Sequence, residues 1–391
     1  MNTQMREGTH SSKGGFRESK GFAFVSGKNG TCTLKSVGKC RDLDIVIPTE
    51  SPDGDTVTAI GKKAFAGCKK VTSISFPETI TAIGEEAFKD CLSIRSITIP
   101  DSVTTIGKAA FSGCASLERI ILPFVGGDKN ATEASEATLF GYIFGDSQYK
   151  NGLQTEQWYE VGGKHFIFYL PSTLKEVTTR GGEIFRGAFM NCSNLMRMTI
   201  GDGVASIGPS AFKKCTSLTS ITISDSVSDI DSDAFWDCST LQYNMYDNAY
   251  YFGNETNPYV VLVKAKSESI TSCDIHENTK IILYRAFLDC TNLTRITIPD
   301  NVTCIGYWAF RGCTNLTDIT IPDGVTSIEM GTFSRCTSLT SITIPDSVTS
   351  IDYGPFQDCV NLTIYCEAPS KPVLWDEKWN GDNRPVIWGK K

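Results

Sequence analysis

"SLTSITIPDSVTSIDYGPF" (Ser338–Phe356) has close copies at Ser217–Phe235, "SLTSITISDSVSDIDSDAF", and at Ser93–Phe111, "SIRSITIPDSVTTIGKAAF". These copies belong to a longer periodicity marked by Phe-x-x-Cys. The pair occurs at Phe65/Cys68, Phe88/Cys91 and Phe111/Cys114, then at Phe189/Cys192, Phe212/Cys215 and Phe235/Cys238. A third run holds Phe287/Cys290, Phe310/Cys313, Phe333/Cys336 and Phe356/Cys359, and within every run the step is 23 residues. A fixed period of this size signifies a solenoid or another repeat array.

One unit supplies the geometry. Leu339, Ile342 and Ile344 are apolar, and the β-branched Ile-Thr-Ile alternates like a strand with Ile inward and Thr outward. Pro345 removes a backbone donor and ends the strand, and Asp346-Ser347 turns the chain. Val348 and Ile351 line a second extended piece, Phe356 plugs the end of the coil, and Cys359 sits in the turn back to Leu362. Each unit is therefore expected to be one turn of a right-handed coil with two apolar sides. Stacked at about 4.8 Å, such turns build a continuous core of identical residues.

The pattern Leu-x-x-Ile-x-Ile-Pro-x-x-Val-x-x-Ile-Gly-x-x-Ala-Phe-x-x-Cys, clearest in residues 94–114, 195–215, 293–313 and 339–359, resembles the leucine-rich repeat of BspA-like, Treponema pallidum-type surface proteins. The resemblance covers about residues 31–391. It implies a β-rich leucine-rich-repeat solenoid and, in bacteria and some protists, a cell-surface or secreted protein linked with adhesion. Its motif residues are the buried ones, so it specifies the fold and leaves the ligand open.

Along the chain, residues 1–20 are polar and Gly/Ser-rich, read as a disordered leader without the apolar core of a secretory signal. Residues 21–60 form an N-terminal cap coil, and 61–144, 169–242 and 265–362 are coils. Residues 145–168 and 243–264 are insertions, and 363–391 is a C-terminal aromatic cap with Trp375, Trp379 and Trp388. Beyond the first insertion "LPSTLKEV" (Leu170–Val177) mimics "IPDSVTSI". In the second, Tyr243–Phe252 reads as one strand, "GNETNP" as the turn and Val260–Lys264 as the returning strand.

Composition excludes several functions. A net charge of −7 and a pI near 5.2 argue against nucleic-acid binding. No apolar run of about eighteen residues is present to span a membrane. The chain has three histidines, of which only His165 lies in an insert. The fifteen cysteines fall mainly on the inward ladder, where a thiol is a small inert hydrophobe. Cys-x22-Cys is not zinc spacing, and stacked equivalent cysteines are poorly oriented for disulfides. A Cys32–Cys40 bridge in the cap stays open, and Cys304 reads as an exposed thiol. Asp42/Asp44 and Asp231/Asp233 lie in turns without calcium-loop spacing. The chain is read as a non-enzyme with no cofactor, metal or catalytic residue.

Outward strand positions, expected to line a concave sheet, are mostly Ser and Thr. The exceptions are Arg119, Arg197, Arg295, Asp318 and Ile121, followed by Phe124. With Trp158 and Tyr159 in the first insert and Tyr246 and Tyr250 in the second, they are the candidate partner-binding residues, because Arg and aromatic side chains dominate recognition. Arg119 and Ile121 are expected beside the first insert. The expected partners are proteins or glycans, host extracellular molecules among them. The competing reading packs the rings onto the solenoid and makes the chain a passive spacer or coat element. The sequence leaves the oligomeric state open.

Overall fold

The computed structural model describes residues 17–160 and 162–390. It is a β-solenoid of short strands, and its only helical pieces among the described residues are the 3-10 turns Glu136–Thr138 and Phe140–Ile143. Ser96–Thr98, Arg119–Leu122, Glu176–Gly181, Arg197–Gly203 and Ser220–Ile223 form a parallel five-stranded stretch of the front sheet.

Inside the coil the phenylalanines stack as the period requires. Phe189 and Phe212 lie 5.0 Å apart and Phe310 and Phe333 5.6 Å apart, with ring planes inclined by 4° and 2°. Each buried ring contributes about 1.5–3 kcal/mol. The cysteine has a second duty. Cys114 donates its thiol to the Phe88 carbonyl of the preceding coil (3.2 Å), and Cys215, Cys313 and Cys336 do the same to Phe189, Phe287 and Phe310. In the cap, Cys32 and Cys40 are free thiols, and Cys32 points its sulfur at the Asp55 carbonyl, so no bridge forms there.

Each Phe-x-x-Cys coil turns two corners with left-handed backbone. The second, just before the cysteine, holds Asp90, Asn191, Asp289 and Asp358, residues that tolerate positive φ, but also Lys214 at +61°. Lys214 is exposed and forms no ion pair among the described residues. Lys214→Gly is expected to stabilise the protein by ~0.5–1 kcal/mol, read as a raised midpoint in urea with an unchanged slope.

Several expectations need correction. Of the expected leader, residues 1–16 lie outside the described residues. Ser19 is not disordered: its N–H donates to the Val46 carbonyl (2.9 Å) and its Oγ accepts from the Val46 N–H (3.1 Å). This seals the open edge of strand Asp44–Val46, an edge that backbone groups cover without apolar side chains. "LPSTLKEV" sits in another register. Leu170 belongs to the hairpin strand Phe166–Pro171, while Leu174 and Val177 take the inward places held by Leu117 and Ile120 one coil earlier. Phe140 and Phe144 carry the ring column across the first insertion, between Phe111 (6.4 Å from Phe144) and Phe189 (4.8 Å from Phe140).

The second insertion is a three-stranded antiparallel meander, Asn244–Tyr246, Ala249–Phe252 and Val261–Ala265. Asp247, at φ +46°, breaks what reads as one strand. The meander also divides the core. Buried apolar residues form two clusters: Phe252 and Val261 belong to the N-terminal one, and their neighbours Tyr251 and Leu262 to the C-terminal one. Strand alternation thus makes the meander a bulkhead with a wet edge and two dry faces.

At the far end the front sheet runs on into the expected cap, because Thr363–Cys366 pairs in parallel with both Ser341–Ile344 and Val386–Trp388. Trp379 closes the ring column edge-on to Phe356 (6.4 Å), and Trp375 packs on it at 4.8 Å.

Candidate functional site

On the front sheet, strand register sets Arg119, Glu176 and Arg197 side by side on successive strands. Glu176 pairs with both, through Oε1 to Arg197 and through Oε2 to Arg119 at 3.8 Å. Arg95 pairs with Glu118 (2.6 Å), and Arg295 with Asp274 (3.7 Å). Such exposed pairs contribute about 0–1 kcal/mol each, so a ligand can borrow these arginines cheaply. Asp318 is exposed and forms no ion pair among the described residues. Ile121 is half-buried between Thr98 and Thr178. Phe124 is not on the surface: it is 1% exposed and shares the inward parity of Ile120 and Leu122.

The first insert is a hairpin of Gly152–Gln157 and Phe166–Pro171. Its inner face carries Phe168 and Gln157 into the solenoid. The Gln157 amide, fully buried, donates to the carbonyls of Ala188 (3.0 Å) and Met190 (3.2 Å) and accepts from the Gly141 N–H (2.9 Å). This side chain bolts the hairpin to a 3-10 turn and to the turn after Phe189. Nothing in the sequence marks it, since it is one polar residue in an irregular segment. Tyr159 is half-buried and stacks on Phe166 (5.8 Å), a packing role.

The outer face is different. Trp158 and His165 stack across the strands at 4.8 Å and 15°, and His165 Nδ1 lies 2.7 Å from Glu156 Oε1. Ile167, next on this face, is 46% exposed. The Trp158 carbonyl is pressed against Gly187, where a Cβ would clash, so this end of the hairpin lies on the turn before Phe189.

On the meander, Tyr246 is 40% exposed and stands edge-on to His276 (4.7 Å), which stacks on Tyr259 (4.1 Å). Tyr250 is half-buried beside Tyr243 (5.6 Å), with Lys264 over its ring.

Among the described residues no three His, Cys, Asp or Glu side chains converge on a metal position. Burial pushes the Cys114 thiol up to about 12, so at neutral pH it is a protonated donor to Phe88 and a poor nucleophile. Cys304, read as exposed, is half-buried against Asp229 (3.8 Å), and burial raises its thiol as well. Among the described residues no helix is long and apolar enough to cross a membrane.

The chain matches, in six copies, the family model described as the BspA type leucine rich repeat region, over residues 45–133, 166–256 and 265–371. No curated protein matches it. Among solved structures it is similar to a leucine rich cell surface protein from Faecalibacterium prausnitzii, with 23% identity, 96% of each chain covered and a TM-score of 0.33. It is also similar to a leucine-rich repeat protein from Bacteroides ovatus, with 24% identity, 95% of this chain and 99% of that one covered and a TM-score of 0.32. A third is the T. pallidum leucine rich repeat protein, with 21% identity, 77% and 92% covered and a TM-score of 0.24.

Proposed function

The chain belongs to the BspA-type leucine-rich repeat family, and on that premise we propose that it is a non-enzymatic recognition protein of the cell surface or secreted space, binding protein or glycan partners through its front sheet and its two inserts. One observation carries the reading. The hairpin carries Trp158, His165 and Ile167 on its outer face, on a platform that the buried Gln157 anchors, and Ile167 is 46% exposed there. Rigid aromatic groups gain contact area at small entropic cost.

The test is binding of the purified chain to immobilised matrix proteins, mucins and glycans, beside Trp158→Ala and Arg119→Ala. The expected result is saturable binding weakened about tenfold or more by Trp158→Ala, at an unchanged melting temperature. Undiminished affinity in both variants would remove the hairpin and the front arginines from the site. The alternative, a passive spacer or coat element, draws support from the front sheet, where Arg119, Arg197 and Arg295 are already paired within the chain. It predicts no saturable partner.

A further inference from the structure

The first left-handed corner of each Phe-x-x-Cys coil, two residues before the phenylalanine, carries a side chain in most of the array, at Lys63, Glu86, Ala109, Ser210, Asp233, Arg285 and Trp308, while Gly187 lies under the Trp158 carbonyl. In the two coils after Trp308 the same place is Gly331 and Gly354. Gly354 leaves its place open, and at Gly331 the Trp308 ring takes the space, so that a groove runs along the solenoid axis as adjoining hollows of about 220 and 280 Å³ that share Tyr353, Gly354 and Gln357. It runs from Trp308 to the loop around Lys378, three coil steps or roughly 14 Å.

Its chemistry is specific. The Trp308 indole lies across Gly331, so close that a Cβ there would sit 2.4 Å from its Cδ1, and glycine is what lets the ring line the wall. Tyr353, 48% exposed, stands farther along. Arg311 and Lys378 flank the groove, and neither pairs with a carboxylate among the described residues, whereas Arg335 is held by Asp358 (3.6 Å) and Asp382 by Arg384 (3.0 Å). The main-chain amides of the floor are engaged from coil to coil: Trp308 N–H to Met330, Arg335 N–H to Gln357 and Gly354 N–H to Lys378. An extended peptide would find no strand edge here and would leave its own backbone groups unpaired. A ligand read by ring faces and by charge meets no such cost.

We propose that this groove binds an anionic oligosaccharide, a short chain of uronic-acid rings, with Trp308 and Tyr353 against sugar faces and Arg311 and Lys378 on the carboxylates. The site is separate from the hairpin and stands or falls without it.

Calorimetric titration of the full chain with trigalacturonate, its methyl ester and triglutamate tests the assignment. Trigalacturonate should bind saturably and more weakly as salt rises. Arg311→Ala, Lys378→Ala and Trp308→Ala should each weaken it about tenfold, the loss expected for one charge-assisted or stacking contact. Gly354→Asn, which keeps the left-handed corner but fills the groove, should do the same at an unchanged melting temperature, and Trp158→Ala should change nothing. Four outcomes overturn the proposal: no binding of trigalacturonate, equal affinity for the uncharged ester, equal affinity in the groove variants, or binding of triglutamate alone, which would make the partner an acidic peptide.

Discussion

Phe310→Ala is expected to lower the stability of the C-terminal half of the solenoid by ~3–5 kcal/mol and to leave the N-terminal half as it was. Phe310 is fully buried between Phe287 (5.3 Å) and Phe333 (5.6 Å), and its N–H bonds the Thr332 carbonyl, so truncation opens a cavity that rigid neighbouring coils cannot close. In an ordinary repeat array the damage spreads to nearest neighbours in both directions. Here it meets the meander, whose two faces serve separate apolar clusters. Hydrogen exchange reads the result directly. Amides of residues 287–356 should exchange about two to four orders of magnitude faster, while those of residues 60–111 keep their protection. Phe88→Ala should give the mirror image. Uniform acceleration along the whole chain in both variants would mean that the bulkhead couples the halves.

Gln157→Ala should cost ~2–4 kcal/mol, far more than an exposed glutamine in a loop, because it strands the Gly141 N–H and removes the donor that satisfies the Ala188 and Met190 carbonyls. Thermal melting gives the loss. Gln157→Glu separates lost hydrogen bonds from lost volume. It keeps the size and the acceptor for Gly141 but sets a carboxylate against two carbonyl oxygens, so its penalty should shrink as pH falls and the acid regains a proton to donate. A penalty independent of pH would mean that the amide does not point where these contacts place it.

The architecture is legible because the residues that repeat are the residues that touch. Phe, Cys and the paired Ile positions face their own copies one coil away, so the period survives in the sequence. The surface has no such constraint. Phe124 reads as outward only if it is taken by residue type beside Ile121, because strand parity groups it with the inward Ile120 and Leu122. Asp247 looks like any polar residue in a tyrosine-rich strand until its backbone turns left-handed. Arg119 and Arg197 stand out by residue type, yet their partner Glu176 lies beyond an insertion that hides its register. The groove glycines, Gly331 and Gly354, become visible only when corner positions are compared from coil to coil, a column that carries no hydrophobic signal.

The thiol column carries a direction. In each of these bonds the cysteine lies 26 residues after the carbonyl it meets: Cys91 to Phe65, Cys114 to Phe88, Cys359 to Phe333. Within each run of repeats the phenylalanine carbonyl of one coil is met by the cysteine of the next. During synthesis the chain therefore grows as masonry does, each course locked by the next, and the newest coil leaving the ribosome is always the unfinished one. Where a run ends no cysteine stands 26 residues on, and a ring closes over the phenylalanine instead: Phe144 over Phe111, Phe252 over Phe235 and Trp379 over Phe356.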